Sequence, residues 1–192
     1  MKTIIIYAHP ETPGHCPYIL DEVKIGLEAK NHEYEILDLY KMRYDPVLHE
    51  EEHYTAGNDN KNISQENKII QEKIKQAGLL IFIYPVWWGT MPAILTGFFD
   101  RVLTPGFAFR FAKFGIPLPL FKGKRAEVFI TSSTSRFLHP IFGYYPRPLI
   151  KRGLLGFCGI KSRLHHFDRA RRLTEKSKLK LKAMIKKALS NY

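Results

Sequence analysis

The sequence is poor in cysteine. Cys16 and Cys158 are its only two, too few for a disulfide framework and without any metal-ligand spacing. Such usage fits a reducing compartment. Long apolar runs are missing too. The longest, Ala77 to Trp88, is broken by Pro85 and falls short of the ~20 residues that a membrane-spanning helix needs. Only Ile4-Ile5-Ile6-Tyr7-Ala8 precedes the break at His9-Pro10, so no signal-peptide pattern is present. The expectation is a cytoplasmic protein with no membrane insertion. Repeats and low-complexity linkers are absent, as are the Walker A and G-x-G-x-x-G phosphate motifs.

Acidic residues are also scarce: 18 Asp and Glu against 30 Lys and Arg leave a formal charge of +12. The imbalance is concentrated between Lys161 and Lys187, where eleven basic residues face only Asp168 and Glu175. A stripe of this kind can meet an anionic cofactor, a membrane surface or nucleic acid. Leu181, Met184, Ile185 and Ala188, however, repeat at helical spacing. That pattern predicts a helix with an apolar face on the core and lysines in water, and needs no nucleic-acid partner. With 192 residues, 45% hydrophobic and 25% charged, the chain has the size and composition of a single domain over 1–192.

Strand and helix signals alternate throughout, which predicts parallel strands joined by crossover helices. Strands are expected at Thr3–Ala8, Tyr34–Leu39, Leu79–Tyr84, Ala126–Thr131 and Lys161–His166. Helices are expected at Tyr18–Lys30, Ile63–Gln76 with Ser64 as its N-cap, Ala93–Val102 opened by Pro92, Pro148–Phe157, and the basic C-terminus. Residues 41–62 form a long polar connection, and 107–123, rich in aromatics, Pro and Gly, reads as a loop. The expected fold class is α/β, a doubly wound sheet of five parallel strands with helices on both faces. Ligands of such sheets bind beyond the carboxyl ends of the strands.

Three loops stand at that edge. The first runs from Ala8 to Cys16 and leads into a helix N-terminus, whose free N–H groups and dipole favour an anion. There His9, Thr12, Gly14, His15 and Cys16 are candidates for holding phosphate. A phosphatase reading of Cys16 lacks an arginine in the residues that follow, and a receiver reading lacks acidic strand ends. The second loop carries the only two tryptophans of the chain, within Pro85-Val86-Trp87-Trp88-Gly89. Tryptophan usually fills cores; a pair in a loop at this edge suits a flat ring system. The third loop, Thr131-Ser132-Ser133-Thr134-Ser135-Arg136, concentrates hydroxyls, and His139, Tyr144 and Tyr145 follow it as potential proton donors.

Ala8-His9-Pro10, Asp38-Leu39-Tyr40 with Pro46, Pro85-Val86-Trp87-Trp88, Pro92-Ala93-Ile94-Leu95, Phe99-Asp100-Arg101-Val102 and Gly106-Phe107-Ala108-Phe109 together resemble the NAD(P)H:quinone oxidoreductase family. This group includes mammalian quinone reductases, bacterial modulators of drug activity and the ancillary flavoproteins of potassium efflux systems. The likeness spans about Met1 to Thr134, with an echo at Gly156-Phe157-Cys158-Gly159. It implies a flavodoxin-like sheet with the strand order 2-1-3-4-5. It implies a flavin, FMN or FAD, reduced by NAD(P)H and reoxidised by a small-molecule electron acceptor such as a quinone in two-electron ping-pong turnover. By position it implies phosphate contacts from His9 and residues 12–16, ring contacts from Pro85 to Gly89 and from Thr131 to Thr134, and an acceptor pocket at Phe109 and Phe111. It also implies catalytic places for His139 and Tyr145, in exchanged order of type, and a homodimer. The chain departs from the family in the first loop, with Gly14-His15-Cys16, and in the third, with Ser133-Thr134. A flavin-holding ancillary subunit of a transporter is the alternative reading.

Overall fold

The computed structural model describes residues 2–10, 13–53 and 62–192. Strand β1 (Thr3–Tyr7) is wholly buried, as its run of β-branched residues requires in a strand covered on both faces. Helix α1 (His15–Glu28) follows, then β2 (Tyr34–Asp38), α2 (Gln65–Gln76), β3 (Leu79–Pro85) and α3 (Ala93–Val102). Two short strands, β4 (Phe109–Phe111) and β5 (Pro117–Pro119), pair as an antiparallel hairpin. Strand β6 (Arg125–Thr131) precedes α4 (Pro146–Pro148), which continues as a π-helical segment over Leu149–Gly156. Strand β7 (Lys161–Phe167) and helix α5 (Glu175–Leu189) complete the described fold.

The main sheet has the order β2-β1-β3-β6-β7, and every pairing in it is parallel. This is the expected order with the hairpin strands added to the numbering. Among the strands the hairpin is the departure: it lies in the stretch read as loop, where Pro117 and Pro119 sit on a strand with no further neighbour. Edge placement tolerates their missing N–H groups.

Side chains alternate across the sheet. Ile4, Ile6, Leu80, Phe82, Val128 and Ile130 belong to one core cluster with α2, α3 and the 149–156 segment. Ile5, Ile81, Ile83 and Phe129 belong to the other, with α1 and α5. Leu181, Ile185 and Ala188 of α5 are buried there while its lysines face outward, as their spacing predicts. Among the described residues, no helix is long and apolar enough to cross a membrane, and no group of side chains could hold a metal ion.

Candidate active site

The carboxyl ends of β1, β3 and β6 bring the three loops together. Val86 N–H donates to the Thr131 carbonyl at 2.7 Å, which fixes the second loop to the third. Cys16 Sγ lies 3.4 Å from Thr131 Oγ1, linking the first loop to the third. The rings of His9 and Trp87 stand 6.3 Å apart across the first and second loops.

Helix α1 starts at His15, three residues before the expected Tyr18. Gly14 precedes it in extended conformation and supplies no side-chain cap, and no acidic residue lies in the first turn. The helix therefore presents unpaired N–H groups and an uncompensated positive dipole end. His15 is 8% exposed. Its Nε2 has no hydrogen-bond partner among the described residues, and its ring rests 5.4 Å from that of Phe167. Burial lowers its pKa, so it stays neutral. An orphaned buried imidazole nitrogen beside an uncapped helix start is what a phosphate-holding loop offers. Thr12 falls outside the described residues.

The second loop is a tight turn. Trp87 and Thr90 exchange backbone hydrogen bonds of 2.9 and 3.0 Å, and Trp88 and Gly89 between them have φ of +51° and +78°. Positive φ at both central residues is the type I′ geometry, for which glycine is suited and tryptophan is not. Trp88 is nonetheless held there, 91% exposed, and Trp87 is 41% exposed. Neither fills the core. Exposed aromatics on a strained backbone make this turn a candidate binding surface. Pro85 is buried and Val86 half-buried beneath them.

In the third loop, Ser132 Oγ donates to the Thr134 carbonyl at 2.8 Å. The same oxygen lies 2.8 Å from His166 Nε2. A hydroxyl has one proton, so His166 must be the donor there and carries its hydrogen on Nε2. Thr131 and Ser132 thus have hydroxyls already engaged within the protein, while Ser133 is exposed and Thr134 half-buried. Asp168 holds the next residues: its Oδ2 accepts from Arg136 N–H at 2.9 Å and lies 3.4 Å from Ser135 Oγ.

His139 is 4% exposed, its ring 5.3 Å from that of His166 and 6.0 Å from that of Tyr144. Burial, reinforced by the charges of His139, Arg136 and Arg147, pushes His166 down to about 4. Tyr145 is exposed and lines the same cleft as His139. Tyr144 is the residue packed onto the second loop. A Cβ at Gly89 would meet its ring at 2.3 Å. Phe109 and Phe111 do not join this assembly. Phe109 is buried against Phe157, 4.8 Å between rings, and Phe111 is exposed on the hairpin.

His166 and Asp168 escape a reading of the sequence because they come from the end of β7 and the residue after it, and meet Ser132 and Arg136 of the third loop from 34 and 32 residues away. The only signal was the placement of His166 at a strand end on the ligand edge.

The profile of the flavodoxin-like fold family matches residues 1–190. An uncharacterised NAD(P)H oxidoreductase of Haemophilus influenzae is 32% identical over 167 residues, 84% of this chain and 80% of that protein. The chain belongs to the NAD(P)H:quinone oxidoreductase family of flavodoxin-like proteins. NAD(P)H dehydrogenase [quinone] 1 of Cavia porcellus is 31% identical over 181 residues, covering 83% of this chain and 65% of that relative. The solved NAD(P)H:quinone oxidoreductase of Methanothermobacter marburgensis superposes with a TM-score of 0.84 at 25% identity, covering 100% of this chain and 95% of that one.

Proposed function

We propose that this chain is a flavin-dependent NAD(P)H oxidoreductase that reduces quinone-like small molecules by two-electron, ping-pong turnover. The observation that carries the reading is the convergence of an uncapped α1 N-terminus and orphaned His15 Nε2 with the exposed Trp87-Trp88 turn. One end suits a phosphate and the other a flat ring.

The residues present fit a flavin. Gly14, His15, Cys16 and His9 would hold the phosphate end, together with Thr12; Pro85 to Gly89 would line the ring, and Ser133 and Thr134 its polar edge. When bound, a flavin supplies the two-electron relay between nicotinamide and acceptor. The protein's part is to orient and to stabilise charge. The helix dipole at His15 favours the anion, and Tyr144 braces the second loop through Gly89. His139 and Tyr145 are placed in one cleft where each can hold a proton toward a reduced acceptor.

FAD is favoured over FMN. A cleft of about 520 Å³ beside His15 and Phe167 is lined by Arg169, Arg172, Lys176 and Lys180, and Arg169 is held there at φ +56°. Basic side chains next to the phosphate loop support a second phosphate.

The whole chain acts as one flavin-binding domain, in a cytoplasmic homodimer. The hairpin supports the dimer: Phe111, Phe114 and Ile116 are exposed on it, and Phe114 at its tip is 99% exposed with φ +63°. Phe111, exposed away from the loops of its own chain, serves the acceptor pocket of the second copy, and buried Phe109 supports it from beneath with its ring 5.4 Å away. Purification with and without added FAD or FMN, followed by heat release and identification of the bound cofactor, tests the reading. Stoichiometric FAD is expected; a protein that retains neither flavin contradicts it.

A further inference from the structure

The cleft that holds His139 and Tyr145 has a volume of about 480 Å³. It contains no carboxylate. Its walls include Phe137, Pro140, Tyr145, Pro146 and Leu164, and its only charged side chains are Arg136 and Arg147. Neither guanidinium is paired with an acidic side chain in the described structure. Both lie close enough to His166, at the base of the cleft, to depress its protonation. Arg136, from the turn after β6, and Arg147, from the start of α4, therefore line one cleft with His166.

The other end of the cleft is Tyr144, the residue packed on Gly89. The cleft thus runs from the candidate ring site to a pair of guanidinium groups, past exposed Phe137 and Tyr145. Apolar and aromatic walls suit a purine, and two planar forks suit a phosphate that accepts from both. Asp168, whose carboxylate accepts from the Arg136 N–H at 2.9 Å, is not among the lining residues, and Arg147 has no acidic side-chain partner among the described residues.

We propose that Arg136 and Arg147 form a recognition site for the 2′-phosphate of an adenosine ribose, so that this protein selects NADPH over NADH. The inference rests on the oxidoreductase reading for its biological meaning, but the site itself is defined by binding. Arg147 borders this cleft and not the basic one beside His15, whereas Arg136 borders both. That difference separates the two.

The test is calorimetric titration of the purified protein, with whatever cofactor it retains, using adenosine 2′,5′-bisphosphate and adenosine 5′-monophosphate. The bisphosphate is expected to bind at least tenfold more tightly. Arg147→Gln and Arg136→Gln are each expected to lose at least tenfold in that affinity, and Arg147→Gln to lower the NADPH-to-NADH ratio of kcat/KM by a similar factor. Equal affinity for the two nucleotides would overturn the proposal. So would a loss that falls on Arg172→Gln, in the other cleft, and spares Arg147→Gln. Failure of the flavin reading looks different: a protein that holds no flavin and oxidises neither nicotinamide, while its preference for the bisphosphate persists.

Discussion

The ring of Tyr144 occupies the space that a side chain at Gly89 would need, with a Cβ there falling 2.3 Å from Cδ1. The contact joins the turn after β3 to the segment after β6, and so couples the tryptophan loop to the cleft of His139. Gly89 also has φ +78°. An alanine there meets both obstacles, of which the left-handed backbone alone costs about 1–2 kcal/mol. Gly89→Ala is expected to lower stability by roughly that amount or more and to weaken flavin binding. Adding Tyr144→Ala should recover part of the loss, because the two sites share a contact. Chemical denaturation of the three variants beside the parent protein measures this non-additivity.

A second pair ties the long connection after β2 to α3. Arg101 Nε donates to Glu52 Oε2 at 2.6 Å and its Nη2 to Glu52 Oε1 at 2.9 Å, with both side chains 6% exposed. Gly97, one turn earlier, allows the Pro46 carbonyl to approach to within 2.0 Å of where a Cβ would stand. The arginine of the Asp100-Arg101-Val102 motif is thus a clamp on the connection. Glu52→Gln leaves a buried guanidinium half-paired and should cost ~3 kcal/mol. Its hydrogen bonds to Arg101 also hold the Glu52 carboxyl below its usual range. That contribution is complete above the ordinary glutamate value and is lost as pH falls through the lowered one. Thermal melts of Glu52→Gln and the parent at neutral and acidic pH should converge toward the acid end.

His166 gives a pH dependence of the same sign over another range. Its folded value is pushed down to about 4, so between there and the ordinary histidine value near ~6.5 the unfolded chain binds the proton that the folded chain refuses. Stability is full above that upper value and declines as pH drops through the interval. His166→Gln, which keeps a donor for Ser132, should flatten the stability profile in this window. An unchanged slope in the variant would show that other groups carry it.

Much of the architecture could be read from the residues because burial wrote it there. The strands of the main sheet are short apolar or alternating runs, Ser64 caps α2 as its position predicts by accepting from Asn67 N–H, and the α5 stripe is where its spacing puts it. The hairpin was hidden because Pro117 and Pro119 argue against a strand, and only an edge position excuses them. The start of α1 was hidden because Gly14 offers no side-chain cap to announce it. The loops of the candidate site were legible by topology, but His166, Asp168 and Arg136 meet across folded distance, which no local pattern encodes. Tyr144 and Tyr145 are neighbours in sequence and both line the cleft, and only the fold shows which of them braces Gly89.

The two thiols should be inert in the native protein. Cys16 is buried against Thr131, and burial pushes it up to about 12; Cys158 is likewise buried and pushed up to about 11. The thiolate is the reactive form. Ellman titration at neutral pH should find no fast-reacting thiol in the folded protein and two in denaturant. Rapid reaction of a native cysteine would show that the Cys16 loop opens.

The most direct test of the flavin oxidoreductase account is an anaerobic titration of the FAD-loaded protein with NADPH, followed through the visible absorbance of the bound flavin. The account predicts stoichiometric bleaching, then full recovery when a quinone is added. Absorbance that persists through an excess of both NADPH and NADH would contradict it.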